Sequence, residues 1–162
     1  MNRHLSRVII MQTLYEWDFR PSSDIGEIKQ RNVDNYDEDA DTDFINNTIV
    51  GTTEHVKDID ELIGKAAPEW PLEQISAIDK TILRIAIFEI LFSNEVPPKV
   101  AINEAVELGK TFGSENSSKF INGVLGTVYR QSSRYNPEED QRMQEIKEKE
   151  QKVEEENSGK TE

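Results

Sequence analysis

Hydrophobic positions along most of the chain recur every three or four residues, which is the period of an amphipathic α-helix. The most apolar stretch is Ser76 to Phe92, where nine of the eleven residues from Ile82 onwards are apolar. A run with no fully polar face is typical of a helix buried in a protein core or a membrane. Since a membrane span needs roughly 20 apolar residues and this run contains Arg84 and Glu89, we predict a buried central helix. The two charges are five residues apart, so we expect each to find a partner on another helix.

The other periodic stretches predict helices that pack around this central one. They are a first helix over residues 3–18, a weak helix near 23–32, one long helix from Thr42 to about Gly64, a helix closed by Gly113, and a last helix capped by Ser114. Residues 69–72 are expected to form a turn or a single helical turn, with Trp70 as a packing anchor. Gly123 and Gly126 lie inside the last helix, where each costs about 1 kcal/mol relative to Ala. We therefore expect a close helix-helix approach at these glycines.

The chain changes character after residue 135. Apolar side chains in 136–162 are reduced to Met143, Ile146 and Val153, which cannot bury enough surface to hold a fold. We interpret residues 1–135 as one all-α domain and 136–162 as a charged tail that is a frayed helix or disordered. A solvated appendage is the first interpretation of the tail, and a helix that binds a partner is the alternative.

The formal net charge of −13 is concentrated in two segments. Residues 136–162 contain 10 acidic and 5 basic side chains, and residues 34–61 contain 10 acidic side chains and one Lys. The remainder is nearly neutral, with Arg3, His4 and Arg7 close together at the start. Because local patches rather than net charge decide whether a polyanion binds, nucleic-acid binding stays possible.

Acidic residues before the long predicted helix resemble the start of a calcium loop, with Asp37, Asp39 and Asp41 at alternate positions. The sixth position of that loop is Thr42 rather than Gly, and the twelfth is Thr48 rather than Glu. We therefore do not predict a calcium site. The same acidic residues suit the start of the next helix.

No arrangement of residues typical of an enzyme is present in the sequence. There is no Cys for a disulfide, a thiolate nucleophile or a metal, and His4 and His55 belong to different predicted helices. We expect a protein without catalytic activity and without a cofactor or metal. The N-terminal stretch is periodic and acidic at its end, unlike a signal peptide, so the expected location is the cytoplasm and no membrane association is predicted.

Three segments carry a resemblance to a known family: Leu83 to Ile90, Val96 to Lys110 and Lys119 to Gly126. Together with the pattern from Arg7 to Tyr15 in the first helix, they resemble the NusB family of bacterial transcription antitermination factors. The resemblance spans about residues 3–132, and the tail lies outside it.

The resemblance implies an all-helical fold of two small bundles that share the buried central helix, an N-terminal bundle at about 3–67 and a C-terminal bundle at about 68–135. It also implies a transcription adaptor that binds the single-stranded boxA element of nascent RNA together with the ribosomal protein NusE. That complex modifies RNA polymerase so that it resists termination, particularly on ribosomal RNA operons. The resemblance does not decide whether the free protein is a monomer or a homodimer.

By position, the resemblance also assigns binding residues. The RNA-binding residues would be Arg3, His4, Arg7, Asn116, Lys119 and Phe120, and the NusE-binding residues would be Tyr15 and Asp79. Arginines can neutralise phosphates, an exposed aromatic ring can stack on an unpaired base, and Asn can contact base edges. For Phe120 a place in the core is the stronger alternative, and Tyr15 could lie at the edge of the core with an exposed hydroxyl.

The N-terminal basic run is thinner than is usual in the family. Because RNA affinity follows the number of neutralised phosphates, we expect weak RNA binding by the protein alone and a stronger dependence on NusE. The main alternative is a NusB-fold protein-interaction module with weak or lost RNA binding. RNA-methyltransferase enzymes with a similar N-terminal domain form a third class, disfavoured because the chain leaves no room for a catalytic domain.

Overall fold

The computed structural model describes residues 1–36 and 39–159, and these contain eight α-helices, one 3₁₀ turn and no β-strand. The all-α fold predicted from the sequence is confirmed. The elements are α1 Arg3–Phe19, α2 Ile25–Asp34, α3 Thr42–Glu54, α4 Val56–Ala66, the 3₁₀ turn Leu72–Gln74, α5 Ala77–Leu91, α6 Pro98–Phe112, α7 Ser117–Arg130 and α8 Pro137–Gly159. Asp37, the first residue of the calcium-loop pattern, lies outside the described residues. Asp41, the last residue of that pattern, caps α3 by accepting a hydrogen bond from the Phe44 N–H at 3.1 Å.

Helix α5 is the centre of the fold, as the sequence predicts. Its N-cap is Ser76, whose side chain accepts a hydrogen bond from the Asp79 N–H at 3.2 Å. Every residue from Thr81 to Ile90 is buried, and α5 packs against α1, α3, α4, α6 and α7. A helix surrounded in this way buries side chains on all of its faces, which explains its nearly continuous apolar sequence.

Arg84 and Glu89, the two charged residues within the apolar run of α5, are paired with other helices, which confirms the prediction made for them. The Arg84 guanidinium donates to Asp18 of α1 at 2.7 Å and to Asp60 of α4 at 2.8 Å. The Glu89 carboxylate accepts two hydrogen bonds from Arg7 of α1, at 2.8 and 3.2 Å. Asp18 at the end of α1 also pairs with Lys80 near the start of α5, whereas Arg7 near the start of α1 pairs with Glu89 near the end of α5, so the two helices are antiparallel.

The stretch predicted as one long helix is two helices, so that prediction is wrong. Helix α3 ends at Glu54 and α4 begins at Val56, with His55 between them outside helical geometry (φ −104°, ψ 11°). The His55 ring stacks on Phe92 at the end of α5, with 4.0 Å between ring centroids. This tertiary contact stabilises the break between α3 and α4. The apolar positions nevertheless continue at helical spacing from α3 into α4.

The glycines expected to allow a close helix approach do not do so. A Cβ added at Gly123 would meet no atom within 4 Å, and one at Gly126 would meet only the Arg130 side chain. The close approaches occur instead at Gly51, where an added Cβ would overlap the Phe88 ring, and at Gly109, which faces α7. The tight contacts of this fold are therefore between α3 and α5 and between α6 and α7.

The tail contains one continuous helix, α8, with no buried residue. Its base is fixed to the body by Tyr129, whose hydroxyl accepts a hydrogen bond from the Asn136 N–H at 3.0 Å. Just before it, the Arg134 guanidinium donates to the backbone carbonyls of four residues at and after the end of α5, at 2.9 to 3.2 Å. Further along α8, Met143 is partly buried against the core. The first turns of the tail are thus attached to the folded domain.

Candidate functional site

A groove of about 410 Å³ lies between the N-terminal ends of α5 and α7. It brings together four of the eight binding residues assigned by resemblance, Asp79 from α5 and Asn116, Lys119 and Phe120 from α7. Its remaining lining residues are Trp70, Gln74, Ile75, Ser76 and Ser114. Residues assigned to RNA and a residue assigned to NusE therefore share one surface depression.

The start of α7 presents polar side chains to this groove. Asn116 is the N-cap residue, but its side chain makes no capping hydrogen bond. Ser114 does not cap α7 as the sequence predicts, because the helix begins at Ser117, whose Oγ accepts a hydrogen bond from the Ser114 N–H at 2.8 Å. The Asn116 amide and the exposed Lys119 ammonium are thus available to a ligand.

Asp79 is the most unusual polar group in the groove. Its side chain is buried, with the residue only 8% exposed, and its Oδ1 has no hydrogen-bond partner among the described residues. A buried carboxylate oxygen without a donor is unfavourable by roughly 1–3 kcal/mol. An incoming N–H donor at this position would satisfy the oxygen, which makes Asp79 a suitable recognition point.

Two aromatic side chains flank these polar groups. Trp70 is 51% exposed and lines the groove, so the prediction that it is a packing anchor is wrong. Phe120 is partly buried against the core and also lines the groove, so it contributes to packing, and its stacking on RNA stays a prediction. The sequence did contain a signal for a rigid, exposed aromatic side chain, because Pro68 and Pro71 lie on either side of Trp70.

Tyr15 does not line this groove. It lies near the end of α1, where its ring makes an edge-to-face contact with Phe19 at a centroid distance of 5.0 Å. Phe19 itself is 61% exposed.

Nearby, Lys80 pairs with Asp18 at 2.9 Å. Burial alone would raise the Asp18 pKa, but hydrogen bonds and charges from Lys80 and Arg84 together exceed that effect and lower the pKa below its usual value.

The N-terminal basic residues lie in a second region, where each of them already contacts a carboxylate. Arg3 pairs with Asp41 at 3.0 Å and with Glu95 at 3.5 Å, and His4 lies 3.2 Å from Glu104. The Phe44 backbone N–H, together with Arg3, lowers the pKa of Asp41 despite its partial desolvation. Arg3 and His4 remain solvent-accessible, so both could exchange a carboxylate for a phosphate.

Arg7 differs from its two neighbours because it is inside the protein. Its side chain is 4% exposed and that of its partner Glu89 is 2% exposed. Burial raises the pKa of Glu89, while Arg7 opposes that rise. The Arg7 guanidinium therefore has a structural partner in this conformation and does not share the surface of Arg3 and His4.

The groove and the N-terminal region lie at opposite ends of α5. Asp79 marks one end, and Glu95, the partner of Arg3, follows the other end. The thirteen residues from Asp79 to Leu91 span about 18 Å along a helix. At roughly 3.4 Å per nucleotide, the spacing of a stacked strand, a stacked RNA that contacts both regions would span about five nucleotides.

None of the helices in the described part of the chain combines the length and apolar character that crossing a membrane requires.

Comparison with known proteins relates the chain to one family. The model of the NusB family matches residues 4–130. A transcription antitermination protein NusB from Chloroflexus aggregans is 43% identical over 129 residues, which cover 78% of this chain and 85% of that protein. Another from Clostridium novyi is 40% identical over 130 residues, 79% of this chain and 98% of that protein.

Solved structures agree with this relationship. The structure of T. maritima NusB has a TM-score of 0.74 and 31% identity, and the match covers 86% of this chain and 96% of that one. A chain from a crystal structure of antitermination factors NusB and NusE in complex with double-stranded RNA has a TM-score of 0.71 at 24% identity, covering 79% of this chain and 96% of that one. At that identity the second likeness shows the fold alone. The family match, the relatives and the fold agree, and the chain belongs to the NusB family.

Proposed function

We propose that this protein is a transcription antitermination adaptor that binds boxA-type nascent RNA together with NusE. In this role it helps to modify RNA polymerase so that transcription resists termination, notably on ribosomal RNA operons. The observation that carries the proposal is the groove lined by Asp79, Asn116, Lys119 and Phe120. It offers an aromatic face, an amide and a cation, which are groups that recognise unpaired bases and their phosphates, and Asp79 adds a carboxylate that can accept a hydrogen bond from an N–H donor of a protein partner.

Relatives support the proposal. Those with 40–43% identity are named transcription antitermination proteins, and a fold neighbour was solved with NusE and double-stranded RNA. For this chain we assign Asn116, Lys119 and Phe120 to RNA, with Arg3 and His4 as a second contact. Asp79 and Tyr15 are assigned to NusE. Arg7 would support the RNA surface by holding α1 on α5.

The second candidate is a NusB-fold interaction module whose RNA binding is weak or lost. The pairing of Arg3 with Asp41 and Glu95 favours it, because a phosphate must displace these carboxylates before it gains anything from the guanidinium. We therefore expect low RNA affinity for the isolated protein and a marked increase when NusE is present.

The test is a titration of a fluorescent boxA RNA with the protein, with and without NusE, over a range of salt concentrations. Lys119→Gln should weaken RNA binding and lower the slope of log K against log salt by about 0.7, the value for one phosphate contact on a single strand. Lys57→Gln, an exposed lysine on α4, is the matched control and should change neither. Phe120→Ala should weaken RNA binding without changing the slope.

Separate variants test the partner. Asp79→Asn keeps the shape of the side chain and removes its charge, so it should weaken NusE binding while RNA binding by the isolated protein changes little. Tyr15→Ala should behave in the same way. The adaptor proposal fails if the parent protein binds RNA neither alone nor with NusE. RNA binding only in the presence of NusE would support it.

A further inference from the structure

Helix α8 covers one face of the body formed by α6 and α7. A cleft of about 580 Å³ separates the two. On the body side its wall includes Lys99, Lys110 and Lys119, which we name the lysine face. On the tail side the wall includes Glu150 and Glu154. The acidic part of the tail therefore lies opposite basic residues of the folded domain.

The charges of the two walls are complementary. Glu107 also lines the body wall and Lys147 the tail wall, so the body side has an excess of positive charge and the tail side an excess of negative charge. Over its whole length α8 contains nine acidic and four basic residues. Unlike charges that face each other across a cleft attract over about one Debye length, roughly 10 Å at 0.1 M salt.

One face of α8 is turned to the body. The cleft-lining residues Met143, Ile146, Lys147, Glu150 and Glu154 follow each other at helical intervals of one, three and four, and Met143 is partly buried against the core. Near the base of α8, Arg130 lies 3.9 Å from Asp140. The orientation is thus fixed by apolar and polar contacts near the base, and Glu150 and Glu154 follow on the same face.

The lysine face joins the two regions that we assign to RNA. Lys119 borders both the groove and the cleft. Lys99 and Lys110 are eleven residues apart on α6, about 16 Å along the helix. Glu104, the partner of His4, follows Asn103, which lines the cleft. A strand that runs from the groove to Arg3 and His4 along α6 would pass over the surface that α8 covers.

We propose that the lysine face is part of the RNA path and that α8 occupies it in the free protein, so that RNA and the tail compete for Lys99, Lys110 and Lys119. This inference rests on the RNA-binding function proposed above. Because the tail is tethered, its effective concentration at the face is high, and weak contacts are enough to oppose RNA. The surface that the tail covers belongs to residues 4–130, which match the family model, while α8 begins after them.

The experiment measures the affinity of the full chain for the same single-stranded boxA RNA at about 0.1 M salt. Glu150→Gln/Glu154→Gln removes two charges that face the body, and Glu145→Gln/Glu156→Gln removes two exposed charges from the opposite side of α8. Both variants change the net charge equally. Interactions between exposed charges are weak, so removing two glutamates that lie across the cleft from the lysine face should tighten RNA binding by about three- to tenfold, and the second variant should change it less than about twofold.

The lysine face is tested in the same assay. Lys99→Gln/Lys110→Gln should weaken RNA binding several-fold, whereas Lys57→Gln/Lys65→Gln on α4, which removes two exposed lysines away from the cleft, should change it much less. The proposal is overturned if the two Glu pairs have equal effects, or if the two Lys pairs do, because net charge alone would then explain the result. If no variant binds RNA even with NusE, the proposed function fails and this inference fails with it.

The position of the tail is measured independently of RNA affinity. The chain contains no Cys, so spin labels can be attached to Thr111→Cys on α6 and Lys152→Cys on α8, neither of which lines the cleft. Electron paramagnetic resonance should give a narrow distance distribution for the free protein, which broadens when RNA is added. A distribution that is broad from the start, or one that RNA leaves unchanged, would contradict displacement of the tail.

Discussion

The buried pair of Arg7 and Glu89 gives the most demanding prediction. Two hydrogen bonds, at 2.8 and 3.2 Å, join side chains that are only 4% and 2% exposed. Arg7→Met removes the cation and leaves a carboxylate buried without a partner, which destabilises proteins by about 3–5 kcal/mol. Compared with a total stability of about 5–15 kcal/mol, this is a large fraction. For a chain of this size it corresponds to a fall in Tm of roughly 6–20 °C.

The loss should depend on pH in a defined direction. Burial already raises the pKa of Glu89, and without Arg7 it should rise further. A carboxyl group whose pKa is higher in the folded state keeps its proton there, so the folded state is not penalised below the unfolded pKa of about 4.3. As pH rises from that value through the folded-state pKa, stability is lost. Urea unfolding of Arg7→Met followed by circular dichroism should therefore show a larger deficit at pH 8 than at pH 5.

A double variant separates stability from RNA contact. Arg7→Met/Glu89→Leu replaces the pair with apolar side chains, a change that is often neutral or stabilising, and it should recover most of the lost stability. Arg3→Met is the control, because Arg3 is 41% exposed and exposed pairs contribute about 0–1 kcal/mol. A deficit below about 1 kcal/mol for Arg7→Met would refute the reasoning. If the stable double variant still loses RNA affinity, Arg7 contacts RNA after all.

Three further predictions concern the packing and charges around α5. Gly51→Ala should destabilise the fold by about 1–3 kcal/mol in thermal unfolding, because an added Cβ overlaps the Phe88 ring; an unchanged Tm would mean that the ring can move aside without cost. Arg134→Ala should cost about 1.5–3 kcal/mol by removing the donor to four carbonyls, and Arg134→Lys should recover only part of that loss in the same urea titration. Asp18→Asn should flatten the acid side of the stability curve, because the Asp18 pKa is lowered in the folded state and its contribution is lost as pH falls below about 3.9. If the stability of the variant and that of the parent fall equally as the pH is lowered, Asp18 does not have this role.

The central helix, and the need of its two inner charges for partners on other helices, could be predicted from the sequence because the necessary information is local. A run of apolar residues interrupted only by Arg84 and Glu89 cannot be placed on a surface, and two charges five residues apart cannot face one partner. The polar start at Ser76 fixes where the helix begins. Period and capping therefore gave α5 to within one residue at each end.

Other features depend on contacts between residues far apart in the chain. Arg3 and Arg7 are one turn apart and look equivalent in the sequence, but Glu89 draws one of them into the interior. The break at His55 depends on the Phe92 ring, which no pattern within 42–63 can indicate. Gly123 looked like a contact point, but a helix position reports packing only when the neighbouring helix is known.

The tail shows a similar limit for composition. Few apolar residues and many charges predict weak intrinsic structure, and no residue of α8 is buried. Composition does not reveal that Tyr129 and Arg134 fix the start of the tail to the body. The direction of α8 over α6 and α7 follows from these anchors, which lie before the helix itself.

If RNA binds at Arg3 and His4 as proposed, the carboxylates that surround them also affect how ions are exchanged. A phosphate that takes Arg3 from Asp41 and Glu95 releases a condensed cation from the RNA, but the freed carboxylates then attract cations from solution. The cations that the carboxylates take up partly cancel the cations that the RNA releases. Each contact then releases fewer ions in total than is assumed when the number of phosphate contacts is calculated from the salt dependence. For this protein, the number of phosphates inferred from salt dependence would be an undercount, and a shallow dependence would be compatible with an extended RNA interface.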